Sequence, residues 1–302
     1  MHTNGMIRSR ERVKNVIEGG LPDRIPKGEL CINDDVICSG SADCKLPAFE
    51  QRYAFIKDLG LDLVSLSPLY PMGLNRLPQQ GEYQWPDLQR WVEETPLFTF
   101  AVLDGAFEWG MRIFGLEKFF IMLRKQHPAL AEFISQVEEL NLSMAAKLQA
   151  EGIDGFILAD DIAYQGGLLA GPDIMRQFFI PSLNRQVDKI VPDGLPVFYH
   201  SDGDYRAVLE EIIHSGISGL QCLEKEAGMN LAELRRRVGD GICLWGHLDV
   251  EDIELAADPA CRQALIQSIR AAASQGKFIL GTTSGIFSGT DVGLLQSIYK
   301  AM

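Results

Sequence analysis

The sequence has no apolar stretch approaching the roughly 20 residues that a bilayer span needs, which argues against a membrane-spanning segment. Its opening residues, MHTNGMIRSRERVKN, lack the apolar core of a secretory signal. Cysteine is sparse, with six residues (31, 38, 44, 222, 243 and 261) in 302. That is too few for a disulfide scaffold at this size, so the six are expected to be reduced thiols of a cytoplasmic protein. Basic residues are outnumbered, 28 Lys+Arg against 41 Asp+Glu, for a net charge of −13. Such a balance repels nucleic acid and anionic membrane at long range and speaks against both as partners. No low-complexity tract, linker or 20–50-residue repeat divides the chain. There is no GxSxG elbow, no P-loop and no CxxC pair, since Cys31, Cys38 and Cys44 stand six to seven apart. Cys222 and Cys243 fall inside apolar runs and read as buried small hydrophobes.

What is present is an alternation. Eight short apolar runs end in polar residues: 27–32 (KGELCI), 61–67 (LDLVSLS), 98–104 (FTFAVLD), 155–161 (GFILADD), 197–202 (VFYHSD), 219–224 (GLQCLE), 243–249 (CLWGHLD) and 278–283 (FILGTT). Amphipathic stretches separate them, at about 8–18, 47–59, 129–151, 172–191, 204–214, 230–238, 262–275 and 291–300. Strand–helix alternation with short connections implies parallel strands, and mostly apolar runs suit strands covered on both faces. Eight such units predict a closed (β/α)8 barrel in one domain spanning 1–302, entered through an N-terminal helical extension. The turn-rich, aromatic segment 68–97 breaks the rhythm and reads as a hairpin-and-lid insertion after the second strand.

In this fold the reactive groups lie at the carboxyl ends of the strands. The run ends supply Glu29 with Asn33 and Asp34, then Ser67, Asp104, Asp160 with Asp161, and His200 with Asp202. They continue with Glu224, His247 with Asp249, and Thr282, Thr283 and Ser284. The strongest cluster is YHSDGD (199–204): His200 and Asp202 are two apart on a strand and point the same way. An imidazole beside a carboxylate can share a divalent metal or work as a coupled acid–base pair. The structural alternative has Asp202 or Asp204 capping the next helix over a packed His200. Asp160 and Asp161 face opposite ways, so one enters the mouth and the other bonds a backbone amide or caps Ile162–Tyr164. For Glu224 a loop surface charge, and for His247 a structural role in holding the seventh loop, are equal alternatives. The Gly-rich GTTSGIFSG (281–289) has the composition of an anion cradle.

These segments also resemble a known family. RERVKNVIEGGLPDRIP, DGAFEWGMRIFGLEKFFIML, EGIDGFILADDIAYQGGLLAGPDIMRQFFIPSLNRQVDKI, GLPVFYHSDGDYRAVLEEIIHSGISGLQCLE, GDGICLWGHLDVEDI and KFILGTTSGI together resemble the uroporphyrinogen decarboxylase superfamily, in particular its corrinoid-dependent methyltransferase branch. The resemblance runs essentially end to end and implies a TIM barrel. Two departures stand out. The arginine-rich RQAGR segment with which the decarboxylases grip their substrate corresponds here to KGELCINDD (27–35), with no arginine. A substrate bearing eight carboxylates would meet an acidic rim, which disfavours the tetrapyrrole reaction. The zinc-dependent thiol methyltransferases use a His-x-Cys pair and a later Cys, and the matching positions here are His200, Asp202 and Ser284. Oxygen donors in place of thiolates harden such a site.

The resemblance therefore implies a methyltransferase moving a methyl group between a corrinoid (cobalamin) carried on a partner protein and a small acceptor. His200, Asp202 and Asp160 would be catalytic. Glu29, Tyr70, Asp104, Tyr164, Glu224, His247 and Ser284 would bind substrate. Either His200, Asp202 and Glu224 hold zinc or another divalent metal, or no metal is bound and His200 and Asp202 act by hydrogen bonding to the acceptor. Such barrels are compatible with homodimerisation. The alternatives are decarboxylation of a porphyrinogen or smaller acid, with Asp160 or Asp202 stabilising the intermediate, and a non-catalytic corrinoid- or tetrapyrrole-binding protein.

Overall fold

The structure, a computed structural model, describes residues 7–39 and 46–302. The chain runs through α1 (Ser9–Ile17), α2 (Asp34–Ile37), α3 (Phe49–Leu59), β1 (Leu63–Leu66), α4 (Leu88–Glu94) and β2 (Phe98–Asp104). It continues with α5 (Ala106–Phe114), α6 (Leu116–Arg124), α7 (Ala129–Ala150), β3 (Gly155–Ala159) and the short strands β4 (Ala163–Tyr164) and β5 (Gly167–Leu168). Next come α8 (Pro172–Ile174), a π-helical turn (Met175–Phe179), α9 (Ile180–Ile190), β6 (Val197–His200), α10 (Leu209–His214) and β7 (Gly219–Gln221). The last part holds α11 (Leu231–Val238), β8 (Cys243–Leu248), α12 (Val250–Leu255), α13 (Pro259–Ala273), β9 (Phe278–Thr282) and α14 (Val292–Lys300).

Seven strands form one sheet in the order β1-β2-β3-β6-β7-β8-β9, every pairing parallel. The first run, 27–32, closes it as the eighth stave. The Gly28 N–H donates to the Leu280 carbonyl (2.9 Å), and on the other side the Asp62 N–H donates to the Lys27 carbonyl (2.7 Å). It pairs through isolated bridges, Lys27 with Leu280 and Ile32 with Ile286, because the ladder is interrupted by side chains. A regular ladder would give the Gly28 carbonyl to the Thr282 N–H. Instead the Trp245 indole N–H takes that carbonyl from inside the barrel (3.0 Å), and the Thr282 N–H turns to the Glu29 carboxylate (3.2 Å). Only glycine fits at 28, since a Cβ there would fall 2.2 Å from the Leu63 side chain.

The barrel interior is filled by Leu63, Phe98, Phe100, Val102, Ile157, Phe198, Trp245 and Ile279. Phe100 meets Phe198 at 5.1 Å and Trp245 at 5.6 Å between ring centroids. The expected N-terminal extension is α1, whose Val13, Val16 and Ile17 pack into the same cluster and seal the amino-terminal end. Closure of that end leaves the carboxyl ends of the strands as the open face, where this fold keeps its chemistry. The helices cover the outside through a second, larger apolar cluster.

Residues 68–97 carry an antiparallel bridge between Leu69 and Gln84, followed by α4. The β4–β5 hairpin, which has only two residues per strand, was not anticipated. Cys31, Cys222, Cys243 and Cys261 are free thiols. Cys38 is disulfide-bonded, against the expectation of six reduced cysteines, and Cys44 lies outside the described residues. Among the described residues no helix is long and apolar enough to cross a membrane.

Candidate active site

Three neighbouring strands, β3, β6 and β7, deliver Asp161, His200, Asp202, Cys222 and Glu224 to the open face. The carboxylate, imidazole and carboxylate of Asp161, His200 and Asp202 offer ligand atoms within 4.8 Å of one another. Asp202, Cys222 and Glu224 form a second such group. The metal trio expected from sequence, His200 with Asp202 and Glu224, is thus divided between two overlapping groups that share Asp202. Asp161 takes the place beside His200 that Glu224 was expected to hold.

His200 is oriented from behind. Its Nδ1 bonds the Gln221 side-chain oxygen, while the Gln221 amide nitrogen donates to the Thr283 carbonyl (3.1 Å). With the amide nitrogen so committed, its oxygen faces the ring and Nδ1 must carry the hydrogen. Nε2 therefore faces Asp161 at 3.4 Å and makes no hydrogen bond among the described residues. That approach is attractive only with a proton or a metal cation between the two atoms. Nδ1 held by an outer partner with Nε2 presented is the usual posture of a metal-ligating histidine, so the residues fit a divalent ion.

The surrounding backbone is shaped for the same cluster. The Asp202 N–H donates to Asp161 (3.0 Å) and the Gly203 N–H to Glu224 (2.8 Å). Gly203 has φ +78° and packs against the Tyr164 backbone, where a Cβ would lie 2.4 Å from the amide nitrogen. Cys222 adopts φ +65°, a left-handed conformation rare outside glycine, and its thiol donates to Asp202 (3.0 Å). Burial, reinforced by Asp202, pushes that thiol well above its ordinary range. Burial also raises Glu224, against the lowering effect of the Gly203 N–H.

Asp160 and Asp161 do face opposite ways, and Asp160 is the one turned out of the mouth. It is buried against the start of α5, accepting the Glu108 N–H (2.9 Å), and burial raises its pKa well above the carboxylate range. Gly105 makes room for it, since a Cβ there would fall 2.1 Å from the carboxyl carbon. Tyr70 and Asp104 meet on an adjoining wall. Tyr70 packs edge-on to Trp109 at 4.9 Å, and Arg112 lies 4.5 Å from the Trp109 ring and bonds Asp104 (2.8 Å). Burial, then Asp104, raises the Tyr70 hydroxyl pKa. Arg112 and Trp109 were missed because they lie on helix α5 and not at a strand end. Tyr164 is exposed on the β4–β5 hairpin, and Ser284 is half-buried after β9. Asp204, the alternative cap, accepts the Arg206 N–H and guanidinium and leaves Asp202 to the cluster.

His247 and Glu29 lie outside the mouth. Trp245 points into the barrel, and strict alternation would send His247 after it. Gly246 at φ +153° breaks the alternation and turns His247 toward α11 and α13, where burial lowers its pKa and its Nδ1 has no partner among the described residues. Glu29 faces α14 and accepts hydrogen bonds from the Thr282 and Tyr299 hydroxyls.

Burial raises the Glu29 pKa to about 7 from 4.5. Between those values the folded chain keeps a proton that the unfolded chain has released, so this group's contribution to stability is lost as pH rises. The loss across that window is at most roughly 3 kcal/mol. Urea unfolding of wild type and Glu29→Gln at pH 5 and pH 8 checks it. The variant is expected to gain on wild type by up to that amount at the higher pH, and an equal difference at both pH values refutes it.

The uroporphyrinogen decarboxylase (URO-D) family model matches residues 89–302. No curated protein matches the chain in sequence. Among solved structures, a methyltransferase from Methanosarcina mazei superposes with a TM-score of 0.73 at 15% identity, covering 98% of each chain. A spore cortex-lytic enzyme from Bacillus megaterium gives 0.49 at 10% identity over 85% of this chain and 71% of that one. A family 2 AP endonuclease from Brucella melitensis gives 0.47 at 12% identity, over 82% and 92%. At these identities the structural likenesses speak to the fold alone. The family match spans more than two thirds of the sequence, and with it the closed parallel barrel is accounted for: the chain belongs to the uroporphyrinogen decarboxylase family.

Proposed function

We propose that this chain is a methyltransferase that moves a methyl group between a corrinoid carried on a partner protein and a small acceptor. The observation that carries the reading is His200 Nε2, turned by Gln221 onto Asp161 with Asp202 beside it. The fold is one that a methyltransferase from Methanosarcina mazei also uses. Asp161, His200 and Asp202 would hold a divalent ion, which when bound supplies a Lewis acid that keeps an acceptor heteroatom deprotonated.

The protein's own groups do the rest. Gln221 fixes the imidazole and the Asp202 N–H fixes Asp161, so the acceptor meets a rigid edge at the open face of the barrel. Phe198 and Trp245 fill the barrel interior and keep that side dry. Tyr70, held edge-on by the buried Trp109 and with Arg112 across both rings, lines the wall beside Asp104. In the transfer the acceptor's lone pair forms the new bond to carbon, and the electron pair of the old bond stays with the donor. The acids at this mouth, and Asp160 turned into the helix layer, argue against a polycarboxylate undergoing decarboxylation.

Methylcobalamin, in place of the protein-bound corrinoid, tests the reading with panels of thiols, folates and phenols. Cobalt-centred absorbance is expected to change with one acceptor class above the rate without protein. Absence of change in every class, with a corrinoid protein also supplied, overturns it.

A further inference from the structure

Nothing in the proposed transfer uses Cys222 or Glu224. Yet Cys222 Sγ is buried, lies 3.0 Å from Asp202, and stands with Glu224 and Asp202 as a compact set of one sulfur and two oxygen donors. On the far side of Asp202 are Asp161 and His200, whose Nε2 is aimed into the cluster without a hydrogen bond among the described residues. Asp202 belongs to both sets. We infer that the mouth holds two cations bridged by Asp202, one on Asp161 and His200, the other on Cys222 and Glu224.

Charge and donor chemistry point the same way. Among the described residues neither Asp161, Asp202 nor Glu224 is ion-paired with lysine or arginine; Arg112 is spent on Asp104 and Glu108, and Lys225 on Asp249 and Asp252. One dication leaves the three carboxylates with a surplus negative charge. Two dications match three carboxylates and a thiolate, the Cys222 proton leaving to solvent as the sulfur is ligated. Carboxylates bridging a metal pair commonly span about 3.5–4 Å, within reach of the two oxygens of one side chain. The donors differ across the bridge. Imidazole and carboxylate suit many divalent ions, whereas a sulfur donor selects a borderline-soft one such as zinc or cobalt(II). The left-handed Cys222 backbone delivers that sulfur: the preceding residue, Gln221, points at His200, and the positive φ at 222 swings the thiol to Asp202.

This inference rests on the proposed function only for the cation at His200, and the test separates the two. Apoprotein is titrated with cobalt(II) and followed by elemental analysis and by the near-ultraviolet thiolate-to-cobalt band, alone and as Cys222→Ser and Glu224→Gln. Two cobalt ions per chain and the band are expected in wild type. In Cys222→Ser, one ion and no band are expected. Glu224→Gln, on a less buried residue, is expected to weaken the second ion at least tenfold while leaving the first unchanged. One ion or none in wild type, an absent band, or two equally tight ions in both variants overturns the inference. Two ions without methyl transfer would sink the proposed reaction and leave the centre standing; methyl transfer with one ion would do the reverse.

Discussion

His200→Ala is expected to lower kcat/KM for methyl transfer by more than two orders of magnitude and to remove the cation held with Asp161. Outer partners of metal-ligating histidines typically cost 10- to 100-fold when lost, so the ligand itself should cost more. Gln221 provides the calibration. Gln221→Met keeps an imidazole at 200 but removes the acceptor that fixes its tautomer. Its expected loss is about 10- to 100-fold, with the cation bound more weakly. Stability should move differently from activity. In His200→Ala the Gln221 oxygen, on a residue with no exposed surface, loses its donor, a cost of roughly 1–3 kcal/mol. Steady-state rates, metal content and urea midpoints on the two variants separate these effects. Wild-type rates in His200→Ala with the protein folded would remove this histidine from the chemistry.

The positions of these groups were only partly legible in the sequence, and the reason is backbone geometry at single residues. His200 and Asp202 come together as their spacing demands, because β6 runs regularly up to His200. Where a strand end departs from regular φ, alternation misleads. Gly246 sends His247 to the helix layer, and Cys222 turns a residue that read as core filling into a donor at the mouth. Between Asp160 and Asp161 the choice depended on α5, whose first turn presents an amide that only the buried acid reaches. Glu29 misled for another reason. The first run is the eighth stave of the barrel, but Trp245 takes a rung of its ladder and Glu29 replaces that rung from outside. Arg112 lay beyond any strand-end rule. The barrel itself was legible because eight apolar runs separated by amphipathic stretches leave few other ways to bury both faces of a parallel sheet.

The largest expected effect on stability lies at the opposite end of the barrel. Asp62 has no exposed surface and accepts from Arg12 (2.6 Å), from both terminal nitrogens of Arg24 (2.6 and 2.7 Å) and from the Lys27 N–H (3.0 Å). Its own backbone joins the closing run to β2, donating to Lys27 and accepting from Phe98. One carboxylate therefore ties α1, the loop before residue 27 and the first two staves together. In Asp62→Ala, Arg24 can turn to water, since its side chain is 31% exposed; Arg12, at 3%, cannot. Arg12 keeps Asp23, which its guanidinium holds below the usual carboxylate range, but one face of a buried cation is left without a counter-charge. Removing one partner of a buried pair costs about 3–5 kcal/mol, against near-neutral outcomes for most exposed pairs. Asp62→Ala should therefore lower the urea midpoint strongly at unchanged m-value, whereas Glu82→Ala, which breaks the exposed pair with Arg76, should leave it in place. A loss under about 1 kcal/mol in Asp62→Ala would mean that Arg12 reaches solvent, and α1 would then be a loosely held plug.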